Sequence, residues 1–245
     1  MIYEYHCRVD SRDVDARNSC RPSALLGILQ EAATEAACRL HASREEMLTK
    51  YHAFWMLARI WYRLERPLTW DESITIRTWH RGNHGAAMYR DYDIYSGEEL
   101  VGESVSVWVL ADQDTRRLLR LADMTEFSES DGGALCKQMR LPKLRIPISL
   151  EQAEDRPTWY SDADINGHVN NVRYADFTCD AIHLEQIEQG RFASELKLSY
   201  LKECRSGETL SLYTGMQDGT WYVHGAGCGG DARFDAALTL SAKKR

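Results

Sequence analysis

The chain has 245 residues, with 30 Lys and Arg against 37 Asp and Glu, a formal charge of -7 and 44% hydrophobic residues. That balance excludes a disordered, collagen-like or tail-dominated protein. The acidic pI near 5.6, with no strongly basic block, argues against phosphate-driven nucleic-acid binding and favours small molecules or proteins as partners. In chain order, Ile2 to Val9 reads as a strand leading into a polar turn, Asp10 to Arg21. From Ser23 to about Leu40, apolar residues recur at helical spacing behind Pro22, a good helix start, giving one alanine-rich helix suited to close packing on a sheet. A shorter helix follows around Ser43 to Tyr51. The period-two run Ala53 to Glu65 is a strand, followed by strands at Ser73 to His80, Ala87 to Tyr95 and Leu100 to Ala111. Turn signals stand at Arg81-Gly82-Asn83 and Ser96-Gly97.

Residues from about Arg120 to Leu150 carry Gly132-Gly133, Pro142 and Pro147 and read as a connector. The same order then returns. Glu154 to Tyr160 is strand-like, Asn171 to about Ile187 helical, and Leu196, Leu198 and Tyr200 open a new alternation. Strands at Thr209 to Thr214, Trp221 to His224 and Phe234 to Leu240 complete it. Asp13-Val14-Asp15 recurs as Asp162-Ala163-Asp164, an offset of 149 (15 to 164). Asp71-Glu72-Ser73 resembles Gly207-Glu208-Thr209, an offset of 136 (72 to 208). Two copies of one α+β unit are expected, with residues 1–120 and 151–245 as the units and 121–150 between them.

Seven cysteines without a C-x-x-C pair suggest neither a disulfide framework nor a zinc ribbon, and a reducing cytoplasm fits. No stretch approaches the ~20 apolar residues of a spanning helix and no leader opens the chain, so a soluble, unprocessed protein is expected.

The segment Ser161 to Tyr174 packs Asp164, Asn166, His168, Asn170 and Asn171 into eight positions ahead of a helix. Asn170 reads as the N-cap, and first-turn N–H groups with the helix dipole would stabilise an oxyanion. Alternation would set Asp164, Asn166 and His168 on one side of an extended stretch, with Gly167 permitting a turn. A carboxylate, an amide and an imidazole so arranged orient a water and a carbonyl together. The competing reading is that Asp, Asn and Gly are turn formers for backbone reasons alone. Downstream, Glu203 is a candidate general base or a solvated acid, and Cys204 a candidate thiolate or a small buried side chain.

These residues resemble the acyl-acyl carrier protein thioesterases of plant plastids and bacteria over nearly the whole chain. Asp164-Ile-Asn166-Gly-His168-Val-Asn-Asn looks like the family's D-x-N-x-H-V-N-N segment, and Glu203-Cys204 like its E-C pair. Leu29-Gln30-Glu31 resembles its L-Q-E, and Trp55, Arg59, Pro67, Asp71 and Thr78-Trp79 match its first meander. The resemblance implies an α+β tandem (double) hotdog, each unit a long helix wrapped by an antiparallel sheet. It also implies hydrolysis of fatty acyl-acyl carrier protein thioesters to free acid and carrier thiol, without metal or organic cofactor. Carried over, Asp164, Asn166, His168 and Glu203 are catalytic, with the helix start before Val172 polarising the thioester carbonyl. Cys204 is left out. The first half, with Arg17 and Ser19 where Asn166 and His168 would fall, is expected to hold the acyl chain. The lack of a plant-type leader suggests a bacterial-type, cytoplasmic protein.

An acyl-CoA thioesterase is the nearest alternative. An enoyl-thioester hydratase fits the spacing less well and leaves Glu203 without a role, and a non-catalytic acyl-thioester sensor has no helix-turn-helix to act through. The partner implied is acyl carrier protein bearing a phosphopantetheine-linked acyl chain, with no nucleic acid and no membrane span. Its acidity would call for a basic surface. Arg116, Arg117 and Arg120, or Lys137, Arg140, Lys143 and Arg145, could supply one, although charge runs in connectors are usually solvated faces. Homodimerisation stays open, as does which of Trp55, Met56, Trp61, Trp79 and Met88 face the acyl pocket.

Overall fold

A computed structural model describes residues 1–120, 137, 139–187 and 190–243. The first half runs β1 (Tyr3–Arg8), α1 (Pro22–Arg39), α2 (Arg44–Tyr51), β2 (Ala53–Leu64), β3 (Ser73–His84), β4 (Ala87–Ser96) and β5 (Glu99–Asp112). The second runs β6 (Glu151–Pro157), α3 (Arg173–Ala181), β7 (Arg191–Tyr200), β8 (Thr209–Gln217), β9 (Thr220–Ala226) and β10 (Ala232–Ala242). The strands form a ten-stranded antiparallel sheet in the order β1-β3-β4-β5-β2-β7-β10-β9-β8-β6. Read from either edge, this order is the same unit, so the tandem hotdog expected from the sequence is present.

The seam between the units is the pairing of β2 with β7. Trp61 lies opposite Lys197, Ile60 opposite Leu198 and Tyr62 opposite Leu196. Trp61 and Lys197 are themselves equivalent at the 136 offset, so the register obeys a twofold relation, as an isologous interface does. Tandem units thereby form inside one chain the contact that two single units would form by dimerising.

Helix α1 starts on Pro22, whose missing N–H costs nothing there, and buries Leu25, Leu29, Ala32 and Ala36. Alanine at the last two positions lets the helix lie close to the strands. Ser43 caps α2 by accepting from Glu46 N at 3.3 Å, while Glu46 returns a carboxylate to Ser43 N at 2.9 Å. The main core joins α1 and α3 to strands of both halves, including Ile60, Tyr62, Phe177, Leu198 and Phe234. The opposite sheet face is covered by the described part of the connector. There Leu141 packs on Trp61, Val105 and Val107, Arg81 donates to Met139 O at 2.5 Å, and Leu144 N donates to Ser199 Oγ at 2.9 Å. Gly132-Gly133 of the expected connector lie outside the described residues.

Four expectations are corrected. Arg81-Gly82-Asn83 is not a turn: β3 runs on to His84 through a bulge between His80 and Gly82, and the reversal falls at Gly85, φ 66. Arg81 anchors the extension through its fork onto Asp91, at 2.6 to 3.0 Å. Strand β6 ends at Pro157, and Tyr160 instead begins a single 3-10 turn, Tyr160–Asp162. The second helix is shorter than expected. It stops at Ala181 and His183 turns left-handed; beyond that point the carbonyls of Leu184, Glu185 and Ile187 accept from Arg17 of the first half, that of Leu184 also from Ile187 N at 3.2 Å. Asn170 is not the N-cap, which is Val172.

Gly225 on β9 backs onto Phe234. A Cβ built there would lie 2.1 Å from the Phe234 ring, which is fully buried. Gly225→Ala is expected to destabilise the fold by about 1–3 kcal/mol through overpacking, measurable as a lower denaturant midpoint at unchanged slope.

Candidate active site

The segment holding Asp164, Asn166 and His168 is a tight turn rather than an extended stretch. Asp164 N donates to His168 O at 2.9 Å, Gly167 N to Asp164 O at 2.9 Å, and Asn166 N to Asp164 Oδ1 at 2.8 Å. Gly167 supplies the positive φ, 72°, that this reversal needs. The three side chains therefore share a cleft because the chain folds back on itself, not because they alternate.

Glu203 arrives from the segment after β7. Val169 N donates to Cys204 O at 2.8 Å, which stitches the turn to that segment. Arg233, 8% exposed, holds the same segment by donating to Glu203 O, and is itself paired with Glu208 at 2.7 Å. As a result Glu203 Oε2 stands 3.3 Å from His168 Nε2, with the imidazole side chain 18% exposed and the carboxylate 40%. All four sequence-predicted residues thus line one cleft of about 390 Å³.

Much of the cleft wall is foreign to the turn that carries Asp164, Asn166 and His168. Phe54, Trp55, Met56 and Val109 come from β2 and β5, and Arg116 from the turn after β5. The cleft opens where β7 ends at Tyr200 while β2 continues outward to Ala53, so the seam has no partner strand there. Beside it lies a more apolar cavity of about 150 Å³, lined by Ala33, Ala37, Trp55, Met88, Trp108 and others. An apolar cavity of that size accommodates roughly a benzene ring. Phe54, Trp55, Arg44 and Asn166 line both spaces. Of the five residues whose facing the sequence left open, Trp55, Met56 and Met88 reach these cavities. Trp61 packs under the connector, and Trp79 meets Lys137 at 5.8 Å on that same outer side.

Two mechanistic expectations change. Two N–H groups at the start of α3 do not project freely: Val172 N donates to Asn170 Oδ1 at 3.1 Å and Arg173 N to Asn170 O at 2.9 Å. Cys204 belongs to the core, fully buried. Burial pushes its thiol up, outweighing the Tyr174 and Arg233 contacts that favour the thiolate. Arg116 was missed as a site residue, since no local pattern brings it to Glu203.

The first half carries the same turn without the same chemistry. Asp15 N donates to Ser19 O at 2.9 Å, Arg17 N to Asp15 Oδ1 at 2.9 Å, and Cys20 N to Leu68 O at 2.8 Å. Arg17, Ser19 and Pro67 occupy the places of Asn166, His168 and Glu203. Asp15 keeps the carboxylate of Asp164, but no imidazole and no second acid stand at those three places.

Residues 1–127 match the acyl-ACP thioesterase N-terminal domain and residues 149–228 the acyl-ACP thioesterase C-terminal domain. The chain belongs to the acyl-ACP thioesterase family. Similar proteins include oleoyl-acyl carrier protein thioesterase 2, chloroplastic, of Arabidopsis thaliana, 28% identical over 84% of this chain and 60% of that protein. Palmitoyl-acyl carrier protein thioesterase, chloroplastic, of Gossypium hirsutum is 27% identical over 89% of this chain and 56% of that protein. The chain therefore spans about 60% of the length of these relatives. Its fold is shared with an acyl-ACP thioesterase from Bacteroides thetaiotaomicron, TM-score 0.82 at 20% identity over 98% of each chain. It is shared equally with the 12:0-ACP thioesterase from Umbellularia californica, TM-score 0.80 at 20% identity over 99% and 98%. No helix among the described residues is long and apolar enough to cross a membrane.

The buried thiol sets a chemical expectation. Exposed Cys38 and Cys228 should be alkylated by iodoacetamide at pH 8 in the native protein, while Cys204 should react only after unfolding, as read by peptide mass spectrometry. Rapid native labelling of Cys204 would restore the thiolate reading.

Proposed function

We propose that the chain hydrolyses fatty acyl thioesters carried on acyl carrier protein, releasing free fatty acid and carrier thiol and so ending chain elongation. One observation carries the reading: Asn166 lines both the polar cleft and the apolar cavity. A thioester whose tail enters the cavity places its carbonyl at that junction, with Asp164, His168 and Glu203 on the other side. The names of the relatives support the carrier-linked substrate class.

In the proposed reaction a water held between Asp164 and Glu203 adds to the carbonyl carbon, and its proton passes to a carboxylate. The Asn166 amide, exposed at the junction, donates to the developing oxyanion, a role the occupied N–H groups of Val172 and Arg173 leave to it. The tetrahedral intermediate collapses by breaking the C–S bond. His168, its Nε2 3.3 Å from Glu203 Oε2, relays that proton to the departing thiolate, leaving a carboxylic acid and a thiol.

Residues 1–120 serve in this reading as the acyl-binding unit and 151–245 as the catalytic unit, with 121–150 connecting them. The composition of the apolar cavity supports this division, since Asn166 is, among the described residues, its one lining residue from beyond the first half. The acidic carrier docks at the cleft mouth, where Arg44 and Lys202 stand among the lining residues. Exposed Arg120, Arg140, Lys143 and Arg145 remain available as a second basic surface, whereas Lys137 is turned inward onto Asp93 and Glu103 at 2.7 and 3.1 Å. A cytoplasmic location belongs to the same proposal, supported by surface thiols such as Cys38 and Cys228 that suit a reducing compartment.

The test is thiol release from carrier-linked and CoA-linked acyl series of graded length. Wild-type protein should turn over the carrier-linked series faster, and His168→Ala, Asp164→Asn and Glu203→Gln should each lose on the order of a hundredfold in kcat. Near wild-type rates in these variants would remove the assignment, and faster turnover of the CoA series would replace the carrier as substrate.

A further inference from the structure

The Glu203 carboxylate is held from two sides by groups of different origin. Oε2 lies 3.3 Å from His168 Nε2 in the second half, and Oε1 lies 3.7 Å from Arg116 Nη1 in the first. Arg116 sits in a turn built to present it. Asp112 Oδ1 accepts from Asp114 N, Thr115 N and Thr115 Oγ1 at 3.2, 2.8 and 2.8 Å, and Arg116 N donates to Asp112 O at 3.0 Å. The Arg116 backbone is left-handed, φ 58, a conformation that residues with a Cβ adopt seldom. Its guanidinium lies over the Phe54 ring, 4.8 Å from the centroid. Phe54 in turn lines both the cleft and the apolar cavity.

A continuous line of contact therefore runs from the apolar cavity through Phe54 and Arg116 to Glu203 and His168. We propose that Arg116 is a positioning residue for Glu203, and that an acyl tail seated against Phe54 acts on the catalytic carboxylate through it. Glu203 lies beyond the end of a strand with its side chain 40% exposed, so its rotamer has no other charged partner to choose it on the cleft side among the described ion pairs. A planar guanidinium that stacks on a ring and faces one carboxylate oxygen turns the other oxygen to the imidazole. An occupied cavity restrains Phe54, hence the guanidinium stacked on it, hence the fraction of time Glu203 is aligned. Tail occupancy then raises kcat, not affinity alone, which is binding energy used at the reacting centre. The part concerning the acyl tail rests on the thioesterase reading, whereas the positioning of Glu203 does not.

Two measurements on the full chain test this. The first is independent of turnover: nitrogen NMR of isotope-labelled histidine, with His168 assigned by His168→Gln. Arg116→Ala and Glu203→Gln should both move the His168 Nε2 resonance, and Arg117→Ala, at the exposed neighbour, should leave it in place. An unmoved resonance in Arg116→Ala overturns the positioning role. The second is steady-state hydrolysis across acyl lengths. Arg116→Ala should lower kcat by about tenfold to a hundredfold with KM little changed, and kcat should cease to depend on acyl length. Arg116→Lys should recover part of kcat, and Arg116→Met, which keeps a stem on Phe54 without charge, should not. A change confined to KM, or a length dependence of kcat that survives in Arg116→Ala, overturns the link from tail to carboxylate. Absence of hydrolysis by the wild-type protein would defeat the thioesterase reading by itself, and the NMR comparison would still decide whether Arg116 positions Glu203.

Discussion

The pairing of β2 with β7 around Trp61 and Lys197 is the constraint on which the rest of the molecule depends. Backbone hydrogen bonds across this seam close two open sheet edges, each of which would otherwise expose unpaired N–H and C=O groups. The twofold register sets the two units at one fixed relation, and a one-residue slip would turn Ile60, Tyr62, Leu196 and Leu198 out of the shared core. Because β7 stops at Tyr200 while β2 runs on to Ala53, the seam also leaves a gap at one end. Into that gap project the Asp164–His168 turn from one unit and Phe54 to Ala58 from the other. The cleft is thus a consequence of unequal strand lengths at a symmetric junction.

Duplication of the fold has not duplicated the chemistry. Both halves close an identical turn on a carboxylate, Asp15 or Asp164, and both tie it to the following segment through one N–H···O=C bond, to Leu68 or Cys204. The backbone pattern needs only an acceptor side chain and a residue tolerant of positive φ, which Asn18 and Gly167 supply at φ 54 and 72. The positions that this pattern leaves free have diverged. Arg17 spends its guanidinium on carbonyls of the segment that follows α3, and Ser19 is buried with its hydroxyl unpartnered among the described residues. Asn166, His168 and Glu203, at the matching places, face the cleft. The first-half turn braces the second half through Arg17, and the second-half turn presents its polar side chains to the cleft.

Much of this organisation was legible in the residues. Period-two and helical alternation mark most of the elements, and the two offsets, 149 and 136, correspond to backbone turns and hydrogen bonds that do recur. The repeat is readable because turn geometry is local: Asp, Gly and Asn impose it wherever they stand. The link between His168 and Glu203 came from resemblance to a family, not from spacing, since thirty-odd intervening residues carry no local signal of their meeting. The end of α3 carries no local signal: the chain turns left-handed at His183, and the segment after it is tied to Arg17, an arginine more than 160 positions away.

Residue order alone determined the two-unit plan, the crowding of Asp164, Asn166 and His168 into one short polar segment, and the absence of a long apolar span, all properties of neighbouring residues and their periodicity. Tertiary structure alone decided which tryptophans face the cavities, because the bulge between Leu57 and Arg59 resets the alternation of β2. It likewise decided that Cys204 is core and that Arg116 meets Glu203. Those outcomes depend on burial and on contacts between residues far apart in the chain, and neither quantity exists until both halves have closed on their common seam.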